Sequence, residues 1–543
     1  MDKKLISGTA LLVAAICLLP ILGVVAAAAF GTFDTLQQLA ETVLWRYTWT
    51  TLVLVVLVAI GSVIIGGITA WLVVTCDFRG RRFLEVALVV PLAFPAYVLA
   101  YAYTDVLDHP GIVQSTLRAV MGWGPRDYWF PEIRSLGGAA LMLTLVLYPY
   151  VYLMARTAFR LQAATPFYAA RSLGSSPIRA FMRVSLPMAR PAIAAGTLLV
   201  VMETIADFGT VAHFSVQTFA TGIYTSWFGL ADRGAAAQLA LGLLTFALLV
   251  AALEYMNRGG AAYAAKGRQE PFVRFKLTGT RALSAQIICV LPVLLGVIIP
   301  TITLTLMGLR SEQDILSPRY IRFIQNSLML AGIAAVLTVA AAVMLGTFNR
   351  VFANRTSLTA LFIGRLGYAV PGGVIAVGLL VPFANFDNWL DARMESWFDI
   401  STGLLISGSI WLMIAAYMIR FLAAAIGAYD SGLSTVTPNI DAASRALGRS
   451  AWGTVRAIHM PVLRSSILTA LLIVFVDTVK ELPATLILRP FNYDTLAVQA
   501  FRLASDERLE GAAVPSLLIA AIGLLPVILL CARMGDWRAR KDT

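Results

Sequence analysis

The stretch Tyr168-Ala169-Ala170-Arg171-Ser172-Leu173-Gly174, then nine residues, then Val184-Ser185-Leu186-Pro187, is written twice in this chain. It returns 274 residues later as Ala442-Ala443-Ser444-Arg445-Ala446-Leu447-Gly448, nine residues, and Ile458-His459-Met460-Pro461. Both copies keep the same Gly-to-Pro separation, and each runs into a long apolar segment. A repeated pair of spacings marks an internal duplication. Ala, Arg, Ser and Leu suit a short helix. The glycine ends it, because glycine accepts positive φ, and the proline stands where the next helix can begin. Each copy predicts a helix–Gly–helix elbow on an arginine-rich loop, within 163–190 and 437–464.

Composition sets the class. Hydrophobic residues make up 59% and charged residues 13% of 543, far from the balance of a soluble domain. Uncharged runs of about 20 residues recur along the chain, the length that crosses a bilayer as helix. They lie near 6–30, 48–75, 83–104, 137–159, 191–211 and 234–256. A second set follows near 284–309, 326–348, 357–383, 403–426, 465–488 and 512–534. The first run is too long for a signal-peptide core of about 7–15 residues. The expectation is an all-α polytopic membrane protein of twelve spans. Its six-span repeats occupy 1–256 and 284–543, joined by a polar linker at 257–283.

The net charge of +12 then reflects basic loops on one side of a membrane and not nucleic-acid binding. With the spans alternating from a cytoplasmic N-terminus, 28 Lys and Arg group with the inner segments, counting Arg156, Arg420 and Arg533 near the inner ends of their runs, and 12 with the outer ones, while Arg365 and Lys480 fall within spans. That bias predicts cytoplasmic termini, elbows and linker. Six spans per half in the same orientation form a parallel repeat, with a substrate path expected between the halves. Cys17, Cys76, Cys289 and Cys531 lack metal or disulfide spacing and read as small core residues. His109, His213 and His459 form no metal motif.

Carrying the same offset past the elbows sets Glu203 opposite Asp477 and Asp207 opposite Glu481 in the fifth span of each half. Acids four apart share a helix face, and a carboxylate within a span costs at least about 2.5–3.5 kcal/mol. Four symmetric acids predict a cavity lining, or hard oxygen ligands for a small, highly charged cation. The plainer alternatives are that Glu481 neutralises Lys480, or that these positions lie in water at the outer surface. Gly209 and Pro483 are expected to bend the helix just after the acids. Tyr97, Tyr101 and Tyr103 follow Pro95, and Pro371-Gly372-Gly373 takes the comparable place in the second half; packing is the favoured role of these aromatics. Arg365 reads as paired or snorkelling.

The elbow resembles the EAA loop of ABC importer permeases, whose consensus is Glu-Ala-Ala, three residues, Gly, nine residues, Ile-x-Leu-Pro. The resemblance implies that Ala169, Ala170, Gly174 and Pro187, with Ala443, Gly448 and Pro461, belong to loops that dock on an ATPase. The consensus glutamate is Tyr168 in one copy and Ala442 in the other, with Asp441 one place earlier. Glu203-Thr204-Ile205-Ala206-Asp207-Phe208-Gly209-Thr210-Val211, and the run from Lys480-Glu481-Leu482-Pro483 to Asp494-Thr495-Leu496, are similar to segments of fused ferric-iron permeases of bacteria.

That resemblance covers essentially the full length and implies a two-repeat permease in the bacterial inner membrane, one copy per transporter. The implied partners are two copies of a cytoplasmic ATP-binding subunit, a periplasmic iron-binding protein and membrane lipid. Ferric ion is the implied cargo, with Glu203, Asp207, Asp477 and Glu481 as path or metal residues, and no covalent cofactor is expected. No Gly-Lys pair occurs, so a Walker-type ATP site is not expected on this chain. Permeases for thiamine, 2-aminoethylphosphonate, polyamines or sulfate share the architecture. A proton-coupled secondary transporter, with the same acids as proton relays, is the rival class.

Overall fold

The computed structural model describes residues 2–29, 31, 33–161, 165–257 and 274–539. Residues 258–273 of the predicted linker and 163–164 of the first predicted elbow lie outside the described residues, as does the side chain of Cys531. Cys17, Cys76 and Cys289 are buried free thiols. The described chain is helical almost throughout, and its strands are one parallel pair, Cys76–Asp77 with Phe275–Lys276. Among the described residues, ten helices are long and apolar enough to cross a bilayer, and two bent pairs raise the number to twelve. These segments overlap the twelve apolar runs in order. The protein is an all-α polytopic membrane protein.

Proline explains two of the breaks. Arg81–Ala93 and Ala96–Met121 meet at 94°, where extended Pro95 (ψ 144°) precedes the helix Ala96–Leu107. Pro371 (ψ 145°) does the same before Gly372–Phe398. The ninth run is therefore two helices, Arg355–Leu366 and Gly372–Phe398, split by the turn Gly367–Ala369. Proline lacks an N–H and drives the residue before it out of the helical region, so a helix restarts there more readily than it continues.

The chain packs as two compact units, neither continuous in sequence. One comprises Met1–Trp45, Phe219–Ala247 and Gln313–Arg502; the other comprises Arg46–Thr218, Leu248–Glu312 and Leu503–Thr543. Packing thus divides the chain differently from the repeats at 1–256 and 284–543, which remain a reading of the sequence. The first unit carries Asp2–Ala29 from the first repeat, and the second carries Leu509–Ala539 from the last.

Backbone contact holds each unit. Asp2–Ala29 crosses Gly372–Phe398 with Gly23 on Gly378: a Cβ on Gly23 would lie 1.9 Å from the Gly378 carbonyl oxygen. One on Gly378 would lie 2.1 Å from the Pro20 oxygen. In the other unit, a Cβ on Gly66 would lie 2.8 Å from the Tyr148 oxygen, and one on Gly196 would lie 2.9 Å from the Val151 Cα. Lipid offers no hydrophobic drive between helices, so association rests on such close approach of small residues. Gly378→Val should cost at least about 1–3 kcal/mol and lower the melting temperature of the detergent-solubilised chain. Gly332→Val, where a Cβ meets nothing within 4 Å, should leave it unchanged; equal effects from both would refute the crossing.

Candidate functional site

The two elbows are built alike. The helix Thr165–Ser172 ends at Gly174 (φ 85°), and Pro438–Ala446 ends near Gly448 (φ 78°). The closing hydrogen bonds match. Leu173, Gly174 and Ser175 donate to Ala169, Arg171 and Ala170; Leu447, Gly448 and Arg449 donate to Ala443, Arg445 and Ser444. Ser176 and Ser450 then cap the next short helices by accepting from Arg179 N and Gly453 N. A π-helical turn follows in each copy, Phe181–Ser185 and Val455–His459. Each precedes its proline, Pro187 or Pro461, and the wider turn accommodates a ring that would crowd the carbonyl four residues back. Ala169 and Ala443 are exposed, Ala170 is half-buried, and the elbow tips carry Leu173 at 87% and Leu447 at 82% exposure. Solvent-facing leucines at equivalent tips suit a contact with another protein.

What differs is how each elbow is tied down. In the first, Phe167 is buried at 1% exposure. Its ring lies 5.5 Å from that of Trp71 and 5.9 Å from that of Phe275, while Trp71 also meets Phe159 at 5.4 Å and Phe181 at 4.4 Å. At the equivalent place, the second elbow has Asp441. It is 7% exposed and receives Arg350 Nε at 2.7 Å and His459 Nε2 at 2.8 Å. The second Arg350 branch donates to Val436 O at 2.7 Å. Asp441 therefore faces inward, holding its helix to Pro318–Phe352 and to the following π turn, and does not offer a carboxylate to an outside partner. Neither anchor was visible as a motif: Phe167 precedes the repeated pattern, and Arg350 lies 91 residues from Asp441.

Two of the four fifth-span acids, Asp207 and Glu481, sit in the breaks themselves, while Glu203 and Asp477 lie in the helices before them. The first fifth-span helix ends at Ala206, and Asp207 is extended (ψ 131°). Asp207 accepts from Thr210 N at 3.1 Å, Thr210 Oγ1 at 3.0 Å and Val211 N at 3.2 Å, so it caps Gly209–His213. Its equivalent in the other unit follows the end of Arg464–Val479. Glu481 accepts from Ala484 N at 3.0 Å and from Thr485 N and Oγ1 at 3.1 and 2.8 Å, capping Pro483–Leu488. The expectation that Glu203 and Asp207, or Asp477 and Glu481, share one unbroken helix face does not hold, because each helix stops between them. Lys480 Nζ pairs with Asp477 at 2.8 Å, three residues back, while Arg420 Nη1 lies 3.6 Å from Glu481. Glu203 and Asp477 are half-buried. Among the described residues, no three His, Cys, Asp or Glu side chains gather as a metal site.

Further side chains close around these breaks. The Tyr224 hydroxyl donates to the Pro483 carbonyl, and Tyr417 shares a 2.6 Å bond with Thr485 Oγ1. Beside the other break, His213 Nε2 lies 3.0 Å from Thr104 Oγ1, and its ring meets Tyr101 at 4.8 Å. Tyr97, Tyr101 and Tyr103 are all buried, with Tyr103 donating to Leu295 O at 2.7 Å. Arg365 pairs with Asp430. Arg156 and Arg420, grouped with the inner loops in the sequence count, lie within helices; Arg156 and Arg160 both pair with the buried Glu85.

The ionic anchor gives the second elbow a pH signature. Burial raises the Asp441 carboxyl, but the hydrogen bonds from His459 and Arg350 outweigh it and hold it below the usual carboxylate range. A depressed folded value stabilises above the unfolded one and is lost as pH falls through it. The anchor therefore persists through neutral pH and releases only in strong acid. Asp441→Asn should release it at every pH. Loss of charge-assisted bonds worth about 2 kcal/mol should speed amide exchange of residues 438–448 roughly thirtyfold at neutral pH, with 165–174 unaffected. Unchanged exchange would show that the elbow is held otherwise.

No protein-family model matches the chain. Curated relatives do, along most of its length. The Fe(3+)-transport system permease protein FbpB 2 of Haemophilus influenzae is 26% identical over 489 residues, 88% of either chain. The probable ABC transporter permease protein y4fN of Sinorhizobium fredii is 25% identical over 97% of this chain and 95% of its own. The ferric transport system permease protein FbpB of Actinobacillus pleuropneumoniae is 25% identical over 83% of this chain and 64% of its own. The resemblance to fused, double-length ABC permeases that the elbows carry thus extends over nearly the whole chain.

Proposed function

We propose that this chain is the membrane permease of an ATP-driven importer that moves ferric iron from periplasm to cytoplasm by alternating access. The observation that carries the reading is the pair of equivalent elbows. Two positive-φ glycines, two exposed leucine tips and two π turns recur at one spacing, which suits docking on two copies of one ATP-binding subunit. In this reading one copy of the chain lies in the bacterial inner membrane with elbows and termini cytoplasmic. A periplasmic binding protein delivers the cargo, and hydrolysis takes place on the partner subunits. The names of the curated relatives support iron as cargo, and hard carboxylate oxygens suit that cation.

Glu203, Asp207, Asp477 and Glu481 are the path residues of this proposal. Asp207 and Glu481 already serve as helix caps, so their part in transport is to hold an irregular backbone open within a span. Such backbone is tolerated at membrane depth where it is buried or lines a water-filled cavity. Glu203 and Asp477 lie four residues before those caps, within Leu186–Ala206 and Arg464–Val479. Contact with the passing cation belongs to all four in this proposal, as a transient meeting with substrate.

The test is uptake of radiolabelled ferric iron by cells lacking the gene, with and without the chain restored, before and after ATP depletion. Entry that requires both chain and ATP is the expected result. ATP-dependent function without iron entry would move the cargo elsewhere, and entry that follows the proton gradient alone would overturn the importer reading. Replacing the four acids together with Asn or Gln should abolish uptake at unchanged expression; undiminished uptake would remove them from the path.

A further inference from the structure

The ends of three spans meet at one place in the second unit. The span Gln37–Thr75 finishes there, the bent pair beginning at Arg81 starts there, and Gly279–Arg310 starts close by. Between them, the strand pair Cys76–Asp77 and Phe275–Lys276 ties the segments together. The tie is reinforced by Leu277 N donating to Asp77 O at 3.0 Å and by Gln286 Nε2 donating to Arg79 O at 2.9 Å. Span ends lie at the depth of lipid headgroups, which places this junction at the membrane surface whichever way the chain is oriented.

A cavity of about 630 Å³ opens there, lined by Asp77, Phe78, Gly80, Arg81, Arg82, Phe83, Arg274 and Lys276. Its volume is within the range of small-ligand sites. The charge of its wall is lopsided, four cations to one acid. Arg81 is a fixed wall: it is 4% exposed, bonded to Val73 O at 3.1 Å, and set between Asp77 at 3.6 Å and Glu85 at 3.4 Å. Arg82, Arg274 and Lys276 are exposed, and none of the three has an ion-pair partner among the described residues. Beside them Phe83 is 73% exposed, an apolar ring at the depth where acyl chains begin.

We propose that this cavity binds the phosphate of an anionic phospholipid headgroup. Guanidinium groups match phosphate oxygens in planar, two-bond geometry. The lopsided wall attracts a negative group over a zwitterionic one, and Phe83 lies against the adjoining chain. A free anion in solution would gain the same charges but nothing from the ring. The bound lipid would bridge the base of Gln37–Thr75 and the strand that follows the linker, adding to the short sheet and the two hydrogen bonds that tie this junction.

Native mass spectrometry of the full chain in micelles doped with phosphatidylglycerol tests this. Each basic residue at a membrane surface is worth about fivefold in affinity, so Arg82→Gln, Arg274→Gln and Lys276→Gln together should weaken retention roughly a hundredfold. These side chains are exposed, so the thermal melt should not move. Arg82→Lys with Arg274→Lys should retain lipid within a few-fold, and Arg393→Gln, in another unit, should have no effect. Unchanged retention in the triple variant would overturn the site. So would equal retention of phosphatidylcholine, or displacement of the lipid by micromolar inorganic phosphate, which would mark a free-anion site instead.

Discussion

A helix that stops inside a bilayer leaves backbone N–H groups with no water to receive them, and each unsatisfied group costs several kcal/mol. This chain stops a span and restarts a short helix at two equivalent places, and both times a carboxylate takes up the first free N–H groups of the new helix. Asp207 does so with threonine help from position 210, Glu481 with help from position 485. The acids that look most like ligands are thus first of all the condition for having a break there. Any transport role builds on that.

The span count and the elbows were legible because each depends on local chemistry. Hydropathy over about 20 residues needs no knowledge of neighbours, and the Gly–Pro spacing encodes a turn whose positive φ at Gly174 and Gly448 follows from the residue type. The partners of charged groups were not legible. Lys480 faces Asp477 although Glu481 is adjacent in sequence, and Glu481 meets Arg420 from a different helix. In a helix the adjacent residue points away, while residues three or four apart meet. The true partner of Glu481 is set by tertiary packing. Arg156 and Arg420 were misgrouped with the loops for the same reason: a buried acid 71 or 61 residues away makes a span tolerable for a cation.

The interleaving of the two units was equally out of sight, since an apolar run carries no mark of which helix it packs on. Glycine comes closest to such a mark. Gly23 and Gly378 stand 355 positions apart, yet a single methyl on either would strike the backbone of the other helix. The first helix thereby belongs with residues 313–502, and the unit that contains it closes only after Arg502 has been made. The second unit likewise needs Leu503–Thr543. Contacts of such sequence separation make the assembly of each unit slow.

The unequal anchoring of the elbows has a mechanical consequence. An aromatic cage such as that around Phe167 and Trp71 is held by dispersion and burial, which fall off gradually as rings slide and are indifferent to direction. The Asp441–Arg350–His459 set is directional and short, 2.7 and 2.8 Å, and a buried carboxylate separated from its cation loses far more than it loses by sliding. A displacement of the second elbow would therefore strain its bonds to Pro318–Phe352, whereas the first elbow could shift against its cage at a more gradual cost. The difference arises at a single pair of equivalent positions, Phe167 and Asp441.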